Sequence, residues 1–151
     1  MIFVTVGSAR FDPLIQRMDE LVGEGALADS VIAQIGRGSY VPVNIRYFRF
    51  LKSLVPAYDV AEVIVSTGGV GTTIECIKRG LRFVVVENTT LMEGHQVELI
   101  REIARRGHLV WCQDLDNLPH CIEEAKTREF RPYKPDTPRV HLVIQDLLDN
   151  T

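Results

Sequence analysis

The sequence predicts a doubly wound, mostly parallel α/β fold, and three observations predict it. Short apolar runs recur at 2–6, 31–35, 63–65 and 83–86 without polar alternation. Strands of that kind are buried on both faces, as in a parallel sheet. Between them lie stretches with apolar residues at helical spacing, suited to right-handed crossovers. Glycines and small polar residues cluster just after the apolar runs. That is where such sheets bind ligands, outside the carboxyl ends of the strands. The expected fold is therefore Rossmann-like, with residues 1–151 as a single domain.

Each element has its own signal. Ile2 to Val6 is β-branched and ends at Gly7. Asp12 reads as a helix N-cap with Pro13 at the first helical position. Leu14, Ile15, Met18, Leu21 and Val22 follow on one face, and Gly23 and Gly25 stop the helix. A second strand, 31–35, ends at Gly36. Residues 47–51 alternate aromatic and basic and read as a third strand or an extended segment. A short helix is expected at 54–60, with Pro56 arguing against it. The strand at 63–65 ends at Ser66, a helix covers 72–79 and Gly80 closes it. After the strand at 83–86, a helix at 96–106 places Val97, Ile100, Ile103 and Ala104 on one face and closes at Gly107. A last strand is expected at 109–111, then helices at 118–126 and about 140–149, joined by a proline-rich linker at 131–138.

Composition narrows the function classes. The 151 residues are 46% apolar and 25% charged, as in an ordinary soluble domain. A formal charge of −3 leaves the chain as a whole no strong basic field for nucleic acid or anionic lipid. No run of eighteen apolar residues argues for transmembrane anchoring, and the start lacks a signal-peptide pattern. Cys76, Cys112 and Cys121 show no metal-ligand spacing, so a reduced cytoplasmic setting is expected and no metal.

The strongest chemical signal is Ser66-Thr67-Gly68-Gly69-Val70-Gly71-Thr72-Thr73-Ile74-Glu75. It runs strand, glycine loop, helix start. Free amides at a helix N-terminus and the helix dipole favour an anion, and a diphosphate fits. Thr72 and Thr73 could add hydroxyl donors, and Glu75 could accept bonds from ribose hydroxyls. The competing reading is a tight turn with Glu75 complementing the dipole. No Gly-Lys-Thr closes the loop, so it is not a P-loop, and Ile74 stands where a dinucleotide fingerprint wants its third glycine. With Glu87 after the next strand, an NAD(P)-binding domain is the alternative.

A second segment, Glu93-Gly94-His95-Gln96-Val97-Glu98-Leu99, can offer His95 and Gln96 to a polyhydroxy ligand, or can be an ordinary helix start. His95 with Glu98 lacks a third ligand for a metal. In a third, Gln34-Ile35-Gly36-Arg37-Gly38-Ser39-Tyr40, Arg37 could meet a phosphate or a partner's carboxylate, or be a surface arginine. Trp111 and Cys76 read as core, and His108, His120 and His141 have no constellation.

Taken in order, these segments resemble the C-terminal, donor-binding domain of GT-B glycosyltransferases that include the lipid II-forming N-acetylglucosaminyltransferase. Stand-alone versions of that domain, in dolichol-linked oligosaccharide and bacterial exopolysaccharide synthesis, are most similar. The resemblance runs from Phe3-Val4-Thr5-Val6-Gly7 through Gly69 to Glu75 and on to Gly107-His108-Leu109. It implies an inverting transfer of a hexose, N-acetylglucosamine first, from a UDP-sugar to a lipid-linked acceptor. The UDP-sugar is then substrate, and no cofactor is expected. Gly7 and Ser8 would lie near the diphosphate, with Ser66 and Gly69, Val70, Gly71 and Thr72 holding it. Phe50 and Leu51 would meet uracil through their backbone, Glu75 the ribose, and His95 and Gln96 the sugar. Thr67 departs from relatives, which often have histidine there, so no side-chain help to the leaving phosphate is implied at that position. The catalytic base is unknown in this chain. It is expected from an acceptor-binding partner subunit, membrane-associated; the C-terminal helix could dock there or pack on its own domain. A non-catalytic nucleotide-sugar-binding module is a further alternative.

Overall fold

A computed structural model describes residues 1–7, 9–88 and 94–133. Six strands alternate with helices: β1 (Ile2–Thr5), α1 (Asp12–Gly23), β2 (Val31–Gln34), β3 (Arg46–Phe48), α2 (Val55–Val60), β4 (Val63–Ser66), α3 (Val70–Lys78), β5 (Phe83–Val86), α4 (Gly94–Arg105), β6 (Val110–Cys112) and α5 (Leu118–Thr127). A short 3-10 turn, Leu115–Asn117, leads into α5. All five strand pairs are parallel, in the order β3-β2-β1-β4-β5-β6. The order reverses between β1 and β4, which makes their carboxyl ends the crevice where such sheets hold ligands.

The fully apolar strands do what their composition demands. Alternate side chains leave the sheet on opposite faces, so each central strand feeds two cores. Ile2, Val4, Val63, Val65, Val84 and Val86 pack under α1 and α5 against Leu14, Ile15, Met18 and Ile122. Phe3, Ile64, Phe83 and Val85 pack on the other face against Tyr58, Ile77, Ile100 and Ile103. Each fully buried side chain of this size contributes about 1.5–3 kcal/mol. Cys76 is buried in the second core, as expected, while Trp111 is half-buried against that core and its indole N–H finds no acceptor among the described residues.

Several boundaries differ from expectation. Asp12 is the first residue of α1 and not its cap; Phe11 holds the cap position and provides no side-chain bond. The Asp12 carboxylate instead accepts the Ser39 amide at 3.1 and 3.2 Å, a long-range use that local sequence does not reveal. Pro56 does not break α2, because it stands in the first turn where its missing N–H has no partner to lose. The third strand is only Arg46–Phe48, and α3 begins two residues early, at Val70. The helix expected at 140–149 lies outside the described residues, as does the proline-rich stretch beyond Tyr133; Arg131–Tyr133 have no regular structure.

Candidate functional site

At the reversal point β1 and β4 end alike. Thr5 and Ser66 stand opposite each other in register, and each carries a hydroxyl. The Thr5 Oγ1 accepts the Gly7 N–H at 3.0 Å, and the Ser66 Oγ accepts the Gly68 N–H at 3.3 Å. Both turns pass through left-handed glycines, Gly7 at φ 66° and Gly68 at φ 85°, a region that side chains with a Cβ avoid.

Beyond those turns the two strands lead to different ends. After β1 the chain is braced. Thr5 donates to Gln34 Oε1 at 2.5 Å, and Ala9 O accepts the Arg37 N–H at 3.0 Å. Gly36, at φ 55°, lies so close that a Cβ would sit 2.2 Å from Ala9 O and 2.9 Å from Gly7 O. Arg49 Nη1 donates to the Gly36 and Gly38 carbonyls at 3.1 and 2.8 Å. The first turn of α1 holds its own carboxylate, Asp12.

After β4 the chain is open. Gly69 takes the N-cap position of α3 without a side-chain cap, and no acid stands in the first turn. The amides of Val70, Gly71 and Thr72 precede the first helical bond, Thr73 N–H to the Gly69 carbonyl at 2.9 Å. Such amides have no intrahelical acceptor and carry the positive end of the dipole. A Cβ at Gly69 or Gly71 would meet nothing within 4 Å among the described residues, which leave a ligand room to approach the backbone. Thr73 does not offer a hydroxyl as expected: it is fully buried and donates to the Gly69 carbonyl at 2.8 Å. Thr72 is partly exposed in the first turn.

The other expected site residues lie at the same end of the sheet. Phe50 and Leu51 follow β3, about half exposed, and Arg49 ties their segment to the Gly36 loop. Glu75 is exposed on α3 and pairs with Arg79 at 3.5 Å, a surface contact worth little. Gln96 is half-buried in the first turn of α4, beyond β5. Ser8, Glu93 and the His95 side chain fall outside the described residues. His108 Nδ1 lies 2.8 Å from Arg131 O, and His120 is exposed. Among the described residues no cluster of three or more His, Cys, Asp or Glu could hold a metal, and no helix is long and apolar enough to cross a membrane.

Sequence reasoning missed the supports. Thr5 and Gln34 were signalled only as polar residues at the ends of apolar strands. Asp19 was signalled as an acid on the apolar face of α1. It is 1% exposed and accepts Tyr40 Oη at 2.6 Å, the Val43 N–H at 3.0 Å and the Asn44 N–H at 2.6 Å. Burial alone would raise its carboxyl, but the bonds from Tyr40, Val43 and Asn44 outweigh it and hold the carboxyl below its ordinary value. The same bond, with burial, pushes the Tyr40 phenol up to about 12.

The model of the glycosyltransferase family 28 C-terminal domain matches residues 1–139. The chain belongs to this family. Among curated relatives of this family 28 domain, the human UDP-N-acetylglucosamine transferase subunit ALG13 is 35% identical over 122 residues, covering 74% of this chain and 11% of the relative. The subunit of the same name from Yarrowia lipolytica is 30% identical over 88 residues, 58% of this chain and 45% of the relative. The chain thus spans less than half the length of these relatives. Two solved structures share the fold: the solution structure of ALG13, with TM-score 0.63, 17% identity and coverage of 97% and 96%, and Acinetobacter baumannii MurG, with TM-score 0.65, 18% identity and coverage of 99% and 49%. The sheet is that of GT-B glycosyltransferase C-terminal domains.

Proposed function

We propose that this chain is the donor-binding part of a UDP-sugar-dependent glycosyltransferase, with N-acetylglucosamine as the transferred sugar. The observation that carries the reading is the uncapped, acid-free N-terminus of α3 behind Gly68-Gly69, open beside the Gly7 turn. A diphosphate seated there meets the amides of Gly69 to Thr72. The same amides meet the charge that develops on UDP as the sugar bond breaks, which is preorganised electrostatic stabilisation. Glu75 is assigned to the ribose, the backbone of Phe50 and Leu51 to uracil, and His95 and Gln96 to the sugar. Transfer is a single displacement with inversion.

The acceptor hydroxyl requires a base, and we assign it to an acceptor-binding, membrane-associated partner presenting a lipid-linked sugar. Relatives named as transferase subunits support a partner. In this reading the chain acts at the cytoplasmic side, peripheral to the membrane through that partner.

Calorimetric titration with UDP, UDP-N-acetylglucosamine and NAD, on the native chain and Glu75→Ala, tests the donor site. Uridine ligands bind and the variant weakens them. NAD binding without uridine binding overturns the reading. With a partner added, Gln96→Ala loses sugar transfer; unchanged transfer sinks its assignment.

A further inference from the structure

The charge of this chain is unevenly placed. Residues 30–58 hold four of its 17 lysines and arginines and none of its 20 acids, which leaves the rest at −7 against −3 overall. All four cations, Arg37, Arg46, Arg49 and Lys52, are exposed; Arg49 is held by the Gly36 and Gly38 carbonyls, and no ion pair among the described residues involves any of the four. Exposed apolar groups gather in the same segment. Of six large exposed apolar side chains among the described residues, five are Val41, Val43, Tyr47, Phe50 and Leu51, and Val43 is 84% exposed. Strand β3 lies at the edge of the sheet, and these residues lie on it or on the loops that flank it. Asp19 fixes the preceding loop through Val43 and Asn44, so the apolar groups are held outward at an ordering cost already met in the fold.

We propose that this β3 edge rests on an anionic lipid surface. Long cationic side chains interleaved with aromatic and aliphatic ones are the composition of an interfacial segment: the apolar groups enter the headgroup boundary and the cations stay at phosphate level. A surface of one sign suits a patch without a single acid, whereas a protein partner would need its own acids at matching places. The net −7 elsewhere is repelled by the same surface and turns this edge toward it. The carboxyl end of β3 shares its side of the sheet with the crevice between β1 and β4. Docking therefore brings the crevice near the lipid plane. That last consequence rests on the donor reading; the binding itself does not.

The test is co-sedimentation of the full chain with vesicles of phosphatidylcholine alone or with about 30 mol% phosphatidylserine. Binding is expected only to the anionic vesicles and is lost in about 0.5 M salt. Arg46→Glu with Lys52→Glu lowers it at least about tenfold, and Val43→Ser with Tyr47→Ser lowers it at neutral cost in charge. Lys78→Glu with Arg101→Glu, the same charge change on α3 and α4, leaves it intact. Circular dichroism confirms that each variant folds, and UDP titration of the same variants reports the donor site separately. No sedimentation of the native chain, or equal loss in both charge-reversed variants, overturns the proposal. So does loss of self-association in the β3 variants with vesicle binding unchanged, which would give the edge to a second copy.

Discussion

The turns that follow β1 and β4 begin as near copies and end as opposites. Each has a strand-terminal hydroxyl accepting the amide two residues on, and each then passes a left-handed glycine. After β1, the neighbouring Gly36 is pressed against the Ala9 carbonyl, and the helix that follows supplies its own acid. After β4, Gly69 meets nothing close among the described residues, and the helix supplies no acid in its first turn. One turn is a wall, and the other leaves its positive dipole end for something else to fill. A glycine is required at Gly36 by geometry, while at Gly69 it is required only if a ligand comes.

The largest expected effect breaks the open turn while sparing the fold. Gly69→Asp puts a carboxylate where the diphosphate would lie, and UDP affinity falls at least about 100-fold, from a repulsion of roughly 3–4 kcal/mol at an effective dielectric near 20. Its φ of −58° suits any residue. An N-cap aspartate therefore leaves thermal stability equal or higher by a few tenths of a kcal/mol. Unchanged UDP affinity would remove α3 from the site.

Gly36→Ala does the reverse. It strains a left-handed position against a backbone oxygen and lowers urea-unfolding stability by about 2–4 kcal/mol. A loss below half a kcal/mol would show that the wall yields.

Next comes the tether behind the wall. Asp19→Asn replaces an acceptor-only carboxylate facing three donors and costs about 2 kcal/mol at neutral pH. The folded carboxyl lies below its unfolded value, so this contribution is complete above the ordinary carboxylate range. It is lost as pH falls through the folded value. Unfolding curves of both proteins should converge in acid; a constant gap would mean the charge is irrelevant.

The smallest effect compares the two hydroxyls. Thr5→Val strands Gln34 and the Gly7 amide and costs about 1–2 kcal/mol, while Ser66→Ala loses one long bond and costs about 0.5 kcal/mol. Equal losses would erase the distinction between wall and open turn.

The sequence carried the frame well because the frame is local. Runs such as 63–65 and 83–86 form the buried strands their composition predicts, and the glycine loop after Ser66 leads from strand to helix as its residues suggest. What it hid depends on contacts between distant segments. Asp12 looks like a cap until the loop after β2 offers it the Ser39 amide. Thr73 looks like a ligand donor until the helix start moves to Val70 and its hydroxyl turns to the Gly69 carbonyl. Arg49 reads as one cation in an aromatic–basic run, yet it clamps two carbonyls eleven and thirteen residues away. The partners of a side chain across the sheet have no periodicity to read.

The pairing of β1 with β4 joins residues about sixty positions apart, through Thr5 and Ser66 at its end. During synthesis, β1, β2 and β3 exist before β4, and the outer edge of β1 is then an unpaired strand edge. The crevice comes into being only when that edge is closed, and such non-local closures are slow. A ligand lying across the Gly7 and Gly69 turns would thus hold together the two halves of the folding history, and its grip should be felt most in amide exchange along the β1–β4 ladder.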